Sequence, residues 1–238
     1  SPGVAQMMAT AGFQYIYIDM EHSAFSIETV ADMIVACRAA GIASIIRTPG
    51  LDRCLLSRPL DAGADGLLIP QVETREEVEK VIEFTKYVPM GKRGTALRRM
   101  HSDYAKVKAD DYMEHANEET MIVIQIETAR AIEDLDALLS VEGVDAAFVG
   151  PFDLSQSLGV PGEINHPKMV EAIHKVITVA NKYGVAPGIH VFDVEAAKKW
   201  IDAGMRLLAF SNDINMIVDT GSKGTSEIRE YLKVKAQA

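Results

Sequence analysis

Short runs of apolar residues alternate with helical patterns along the whole chain. Seven such runs occupy positions 15–19, 43–47, 66–69, 121–126, 146–150, 186–189 and 207–210. The runs are almost continuously apolar, which is typical of parallel strands that helices cover on both faces. We therefore predict a strand at each of these positions.

Helix signals fill the intervals between the predicted strands. Thr74 and Glu77 have the spacing of a capping box, and apolar residues at helical spacing follow them. Glycine stands where three of the helices should end, at Gly41, Gly63 and Gly184. Repeated strand–helix units of this kind predict a parallel sheet that is either open or closed.

Two features favour a closed barrel. The G-x-G-x-x-G turn of a dinucleotide-binding open sheet does not follow the first strand. Polar residues recur near the carboxyl ends of the predicted strands, where barrel enzymes carry their active sites. These residues are Asp19, Arg47, Gln125, Asp153, His190 and Asn212. The prediction is one α/β domain over residues 1–238, a (β/α)8 TIM barrel.

A barrel of this type has eight strands, but the sequence shows seven. Ser1 and Pro2 suit the cap and first turn of a helix that leads into the strand at 13–19. Such a helix is the second half of a βα unit, whose strand should precede it. We therefore expect the first strand to be missing from the chain, with a gap between 13–19 and 207–210.

Charge and composition narrow the class of partner. The chain has 238 residues and a formal net charge of −10. This charge argues against nucleic acid or an anionic membrane, because both attract a basic face. No apolar run approaches the roughly 20 residues of a membrane-spanning helix, and Cys37 and Cys54 lack metal-type spacing. These features predict a cytoplasmic protein with ordinary thiols.

Two carboxylates should lie side by side at the mouth of the barrel. Glu127 follows one strand, two residues after Gln125 and on the same face, and Asp153 follows the next strand. Neighbouring carboxylates repel each other unless a proton or a cation lies between them. A pair without Cys or His ligands suits Mg2+ or Mn2+. The alternative is that both accept hydrogen bonds from loop amides or pair with Arg93, in the long loop 89–108, or with Arg130.

Other side chains near strand ends could take part in chemistry. His22 lies near Asp19 and could be a general base or a hydrogen-bonded structural residue. Arg47 could hold a carboxylate through two parallel bonds, or pair with a loop acid. Asp61 lies on the following helix and indicates nothing by itself. Among the remaining histidines, His190 is the one that a strand end brings near the site.

Nine short motifs follow one another in a specific order. They are Asp19-Met-Glu-His22, Arg47-Thr-Pro49, Leu60-Asp-Ala-Gly63, Leu67-Leu-Ile-Pro70, Gly91-Lys-Arg-Gly94, Gln125-Ile-Glu-Thr128, Val141-Glu-Gly-Val-Asp145, Gly150-Pro-Phe-Asp-Leu-Ser155 and His166-Pro167. Through these motifs, most of the chain resembles the HpcH/HpaI aldolase family. Its members include 4-hydroxy-2-oxoheptanedioate aldolase and 2-keto-3-deoxy-sugar-acid aldolases.

The resemblance implies a metal-dependent, class II aldolase. Glu127 and Asp153 would be the protein ligands of Mg2+, Mn2+ or Co2+. His22 would move protons, oriented or assisted by Asp19 and Asp61. The resemblance also implies a homo-oligomer, specifically a hexamer.

The same resemblance implies a substrate class. Arg47 would bind the carboxylate of pyruvate, with help from Gln125 and from backbone N–H groups near Phe152 and Asp153. The enzyme would reversibly cleave a 4-hydroxy-2-keto acid to pyruvate and an aldehyde through a pyruvate enolate. This route needs no Schiff-base lysine, and none of the seven predicted strands contains one.

Two departures from the family pattern leave other chemistry open. Phe152 stands where relatives often carry a small residue, and Ala209-Phe-Ser-Asn-Asp213 replaces an Ala-Val-Gly-Val-Asp pattern. The alternatives are macrophomate synthase-like use of the enolate, a citrate-lyase β-like lyase acting on a CoA thioester, and a non-catalytic metal-binding member. A non-catalytic member would be expected to have lost a metal ligand or His22, and this chain has kept all of them.

Overall fold

Seven parallel strands form one sheet in the computed structural model, which describes residues 1–237. The strands are β1 (Tyr15–Asp19), β2 (Ala43–Arg47), β3 (Gly66–Ile69), β4 (Met121–Ile126), β5 (Ala146–Val149), β6 (Ala186–Val191) and β7 (Leu207–Phe210). Each strand pairs with its neighbours in the chain. All seven predicted strands are therefore confirmed. The fifth ends one residue earlier than expected, at Val149, and the sixth runs on to Val191.

Helices follow the strands in alternation. Within residues 1–237 they are α1 (Gly3–Thr10), α2 (Ile27–Ala40), α3 (Arg53–Asp61), α4 (Arg75–Thr85), α5 (Ala109–Glu119), α6 (Ala129–Glu133), α7 (Leu135–Leu139), α8 (Pro151–Ser157), α9 (Pro167–Lys182), α10 (Val194–Ala203) and α11 (Asp213–Gln237). The predicted capping box begins α4, because Thr74 and Glu77 accept hydrogen bonds from each other's backbone N–H. Gly41 ends α2 at a φ of 68°, a left-handed conformation that favours glycine. Ser1 does not cap α1, whose N-terminal cap position is Pro2.

The sheet curls around an apolar interior. Ile45, Leu68, Val123 and Phe148 pack together on its inner face, and a larger cluster lies between the strands and the helices. The ring of Tyr17 on β1 meets the ring of Phe148 on β5, with centroids 5.2 Å apart. Strands that are four places apart in the sheet can touch in this way only if the sheet is strongly curved. The architecture is that of a TIM-type barrel.

The barrel has an open seam between β1 and β7. These strands lie at the two ends of the sheet and do not pair with each other. The loop 89–108 contributes no strand and contains only a 3-10 turn at Met100–Ser102. The expected gap is therefore present in the part of the chain that the structure describes.

The last helix, α11, presents apolar side chains to solvent. Seven of them are 54–69% exposed, namely Ile214, Ile217, Val218, Ile228, Tyr231, Leu232 and Val234. Ile214, Ile217 and Val218 have helical spacings of three and four residues, as do Ile228, Tyr231 and Leu232, and these six side chains lie along one face of the helix. None of the helices in residues 1–237 is both long and apolar enough to cross a lipid bilayer.

Candidate active site

Arg47 and Asp19 form the first pair at the carboxyl ends of the strands. β1 and β2 pair in a register that sets Asp19 opposite Arg47. The Nε of Arg47 donates to Oδ1 of Asp19 at 2.9 Å, and Nη2 donates to Oδ2 at 2.6 Å. Burial would raise the pKa of Asp19, but the hydrogen bonds and charge of Arg47 outweigh it and hold that pKa below its usual value. The parallel bonds fix the plane of the guanidinium.

Glu21 connects this pair to the loop that follows β3. Its Oε2 lies 3.2 Å from Nη1 of Arg47, and its Oε1 accepts from Nε2 of Gln71 at 3.2 Å. The ring Nε2 of His22 lies 3.6 Å from the same Oε2. Sequence reasoning did not single out Glu21 or Gln71 as site residues. Their positions just beyond β1 and β3 were the available signal.

Glu127 is the most buried carboxylate of the mouth, with 4% of its surface exposed. Its Oε1 accepts from the backbone N–H of Gln71 at 2.7 Å, and its Oε2 accepts from the side-chain amide of Gln125. Burial raises the pKa of Glu127 to about 7, and the negative charges of Glu21 and Asp153 add to this effect. The two hydrogen bonds oppose it only in part. The surroundings of Glu127 therefore disfavour its ionised form.

Gly150 allows the side chains of Gln125 and Glu127 to pass close to the backbone of the β5–α8 turn. A Cβ at Gly150 would lie 2.8 Å from Nε2 of Gln125 and 2.9 Å from Oε2 of Glu127. Both distances are too short for any other residue to fit without movement. The other amide atom, Oε1 of Gln125, is buried and has no hydrogen-bond partner. Glycine thus brings α8, which carries Asp153, against the end of β4.

An open cleft of about 340 Å³ lies at this end of the barrel. Its lining comprises Glu21, His22, Gln71, Glu127, Thr128, Asp153, Gln156 and Ser157. Glu127 and Asp153 therefore meet in one cleft, as predicted. Among residues 1–237, no group of three or more His, Cys, Asp or Glu side chains is arranged to hold a metal ion. A cation here would have two protein carboxylates and would take its other ligands from water or substrate.

Comparison with known proteins identifies the family. The family model of HpcH/HpaI aldolase/citrate lyase matches residues 1–220. The chain belongs to this family. The hydroxypyruvate/pyruvate aldolase of Roseobacter denitrificans is 35% identical over 219 residues, which are 91% of this chain and 84% of that protein. The 4-hydroxy-2-oxo-heptane-1,7-dioate aldolase of Escherichia coli is 33% identical over 215 residues, 90% of this chain and 81% of that protein.

A solved structure of the same family agrees with the fold. The crystal structure of the HpcH/HpaI aldolase from Desulfitobacterium hafniense superposes with a TM-score of 0.93 at 33% identity, and the match covers 97% of this chain and 89% of that one. The family resemblance predicted from the nine motifs is therefore confirmed. The two relatives named above are aldolases, which supports the prediction that this chain is a lyase.

Within this HpcH/HpaI chain, His22 is the most accessible of the predicted catalytic residues, with 60% of its side chain exposed. Asp19 accepts from the backbone N–H of His22 at 3.3 Å, and the near partner of the ring is Glu21. Asp61 is the last residue of α3 and pairs instead with Arg93 at 2.7 Å. A helix of nine residues is about 13 Å long, so its end lies well away from the strand end where it began. In this single chain, the structure does not bring Asp61 to the His22 ring.

The two arginines that were alternative partners of Glu127 and Asp153 pair with other acids. Arg93 forms an ion pair with Asp61, and the side chain of Arg130 lies 3.7 Å from Glu73. Glu127 does accept a loop amide, that of Gln71. That bond satisfies one oxygen but leaves the pKa of Glu127 raised, so it does not replace a positive partner.

Proposed function

We propose that this chain is a divalent-metal-dependent aldolase that reversibly cleaves a 4-hydroxy-2-keto acid to pyruvate and an aldehyde. The observation that supports it best is that an oriented arginine, Arg47, and a buried carboxylate, Glu127, lie in the same barrel mouth. The negative charge of Glu127 is one of the causes that raise the pKa of Arg47. The names of the aldolase relatives support the same reaction class.

The donor set fits a hard divalent cation. Glu127 and Asp153 supply carboxylate oxygens, which Mg2+ and Mn2+ prefer. The raised pKa of Glu127 indicates that the site lacks positive charge at this point. A divalent cation supplies that charge and stabilises negative charge on the keto oxygen of an enolate.

Arg47 is suited to the carboxylate of the 2-keto acid. A guanidinium has five N–H groups. Two of those of Arg47 donate to Asp19, and its Nη1 lies 3.2 Å from Oε2 of Glu21. The remaining N–H groups are free to donate to a substrate. Because Asp19 and Glu21 hold the plane in advance, little rotational freedom is lost when the substrate binds.

His22 is suited to proton transfer at the 4-hydroxyl. Its ring lines the cleft and is accessible, and Glu21 lies beside its Nε2. In cleavage, His22 accepts the hydroxyl proton while the C3–C4 bond breaks. The bond electrons remain on C3 as the pyruvate enolate, and the hydroxyl carbon leaves as the aldehyde. The strands offer no lysine for a Schiff base in residues 1–237.

A pyruvate-release assay over a panel of 4-hydroxy-2-keto acids tests this proposal. Activity should disappear in chelator and return with Mn2+, Mg2+ or Co2+, while circular dichroism shows that the chelated protein is still folded. Full activity in chelator, or trapping of a substrate adduct by borohydride, would show the proposal to be wrong. A parallel arm with acyl-CoA substrates separates it from a CoA-thioester lyase.

We also propose that the chain associates with copies of itself through α11. The apolar face of α11 is exposed, and the strands beside the open seam, β1 and β7, are only partly covered. The same sequence thus supplies both an uncovered apolar helix face and uncovered apolar strands. Sedimentation should give a mass of at least twice 26.0 kDa, and Ile217→Glu with Leu232→Glu should reduce it. A native protein that sediments as a monomer contradicts this proposal.

A further inference from the structure

Three rings stand in a row at the side of the barrel mouth formed by β5 and β6. Phe152 lies in the first turn of α8, immediately before Asp153. Its ring centroid is 5.4 Å from that of Phe192, and the Phe192 centroid is 4.4 Å from that of His190. We call Phe152, Phe192 and His190 the aromatic wall.

The wall is fixed at its inner end. Nε2 of His190 lies 2.9 Å from the backbone oxygen of Ser211. Because that partner is a carbonyl, Nε2 carries the proton and donates it. Burial lowers the pKa of His190 below its usual value, and the positive charge of Arg47 adds to this. The imidazole is therefore neutral near pH 7, and the whole wall is uncharged.

The outer end of the wall is open to solvent. Phe152 is 54% exposed, although it stands next to a polar cleft. A phenylalanine in this place contributes little to the core, and most of its apolar surface stays in water until a ligand covers it. The exposed ring of Phe152, which lies beside Asp153 and against Phe192, is therefore available to contact a ligand.

The mouth thus has two different sides that meet at Asp153. The polar lining of the cleft comes from the loops after β1, β3 and β4 and from α8. The wall comes from α8 and the end of β6. A keto acid held by Arg47 occupies the polar side, so the second reactant has the wall beside it.

We propose that the aromatic wall binds the side chain of the aldehyde, and that this enzyme prefers aldehydes with an aromatic or bulky apolar group. The proposal rests on the aldolase function proposed above. In the synthetic direction, pyruvate loses a proton from C3, and C3 bonds to the aldehyde carbon. The aldehyde oxygen gains a proton, and nothing is oxidised or reduced. The three side chains of the wall offer ring faces and no cation, so they favour a phenyl group over a carboxylate.

The test compares rates of aldol addition of pyruvate to benzaldehyde, glycolaldehyde and succinic semialdehyde. The native enzyme should have the highest kcat/KM for benzaldehyde. Phe152→Ala should lower the ratio of benzaldehyde to glycolaldehyde kcat/KM on the order of 10-fold, and Phe192→Leu should lower it less. Ile201→Ala is a matched control, because Ile201 is also 54% exposed but lies on α10, outside the wall. Its ratio should not change.

Exchange of the C3 protons of pyruvate with deuterated water separates the two proposals. If the native enzyme catalyses exchange but shows no benzaldehyde preference, the aldolase proposal stands and the wall proposal is overturned. A Phe152→Ala variant with an unchanged ratio overturns it as well. If the native enzyme catalyses neither exchange nor addition, both proposals fail.

Discussion

The same strands build two different regions of the barrel. Its lower interior, inside the strands, is apolar, whereas its mouth, at the carboxyl ends of the strands, is lined by polar and charged side chains. On β2, Ile45 packs in the apolar interior, and Arg47, two residues later, is held by carboxylates. On β4, Val123 is fully buried among apolar side chains, and Gln125 binds Glu127. Two residues along a strand are about 6.6 Å. That short distance separates side chains that pack from side chains that bind.

The difference shows where stability and chemistry reside. Apolar burial in the lower interior favours folding. The mouth instead gathers Glu21, Glu127 and Asp153, and the burial of Glu127 beside the like charges of the other two opposes folding. We therefore expect substitutions in the mouth to change activity with little loss of stability, and substitutions below it to do the reverse.

His22→Ala should have the largest effect on the mouth side of this comparison. General acid–base catalysis typically contributes about 100- to 10,000-fold, and kcat should fall by that order while the melting temperature stays the same. His115→Ala on α5 is the control, since His115 is exposed and away from the cleft. If His22→Ala loses metal affinity but keeps turnover at saturating metal, His22 is a ligand and not the base.

Leu68→Ala tests the lower interior. Leu68 is buried in the inner cluster, and removal of such a side chain costs roughly 2–5 kcal/mol. Urea unfolding should show a loss of that order, whereas kcat of the folded fraction should remain near the native value. Val35→Ala is an exposed control on α2, for which we expect a change within about 0.5 kcal/mol. A large loss of kcat without loss of stability would contradict the division between the two regions.

The pH dependence of stability sharpens the comparison at Glu127. Its pKa is raised from 4.5 to about 7, so the folded protein holds a proton there that the unfolded chain releases. In chelator, this contribution to stability is present below pH 4.5 and is lost as the pH rises through about 7. The loss is on the order of 3 kcal/mol.

Glu127→Gln should remove this pH dependence, because the amide does not titrate. The measurement is the free energy of unfolding of both proteins in chelator from pH 5 to 8. Mn2+ or Mg2+ should restore native stability at pH 8, since a cation then replaces the proton. Parallel pH profiles for the two proteins would show that Glu127 is ionised throughout and that its burial is tolerated in another way.

Much of the barrel could be predicted from local patterns. Continuous apolar runs mark strands that are buried on both faces, and the capping box at Thr74 marks the start of a helix. The observed end of β5 differs from the predicted one because the last predicted strand residue is the cap of the next helix. Gly150, expected in a strand, instead caps α8, because Leu154 donates its N–H to the carbonyl of Gly150.

The sequence by itself determined the order of strands and helices, the family, and the concentration of Asp19, Arg47, Gln125, Glu127 and Asp153 at one end. These features depend on alternation and spacing along the chain, which can be read without coordinates. The tertiary structure decided which of the polar side chains meet. Glu21 and Gln71 enter the cleft, Asp61 pairs with Arg93, and Phe152 contacts Phe192. Each of these contacts joins segments that are distant in sequence and that only the folded barrel brings together.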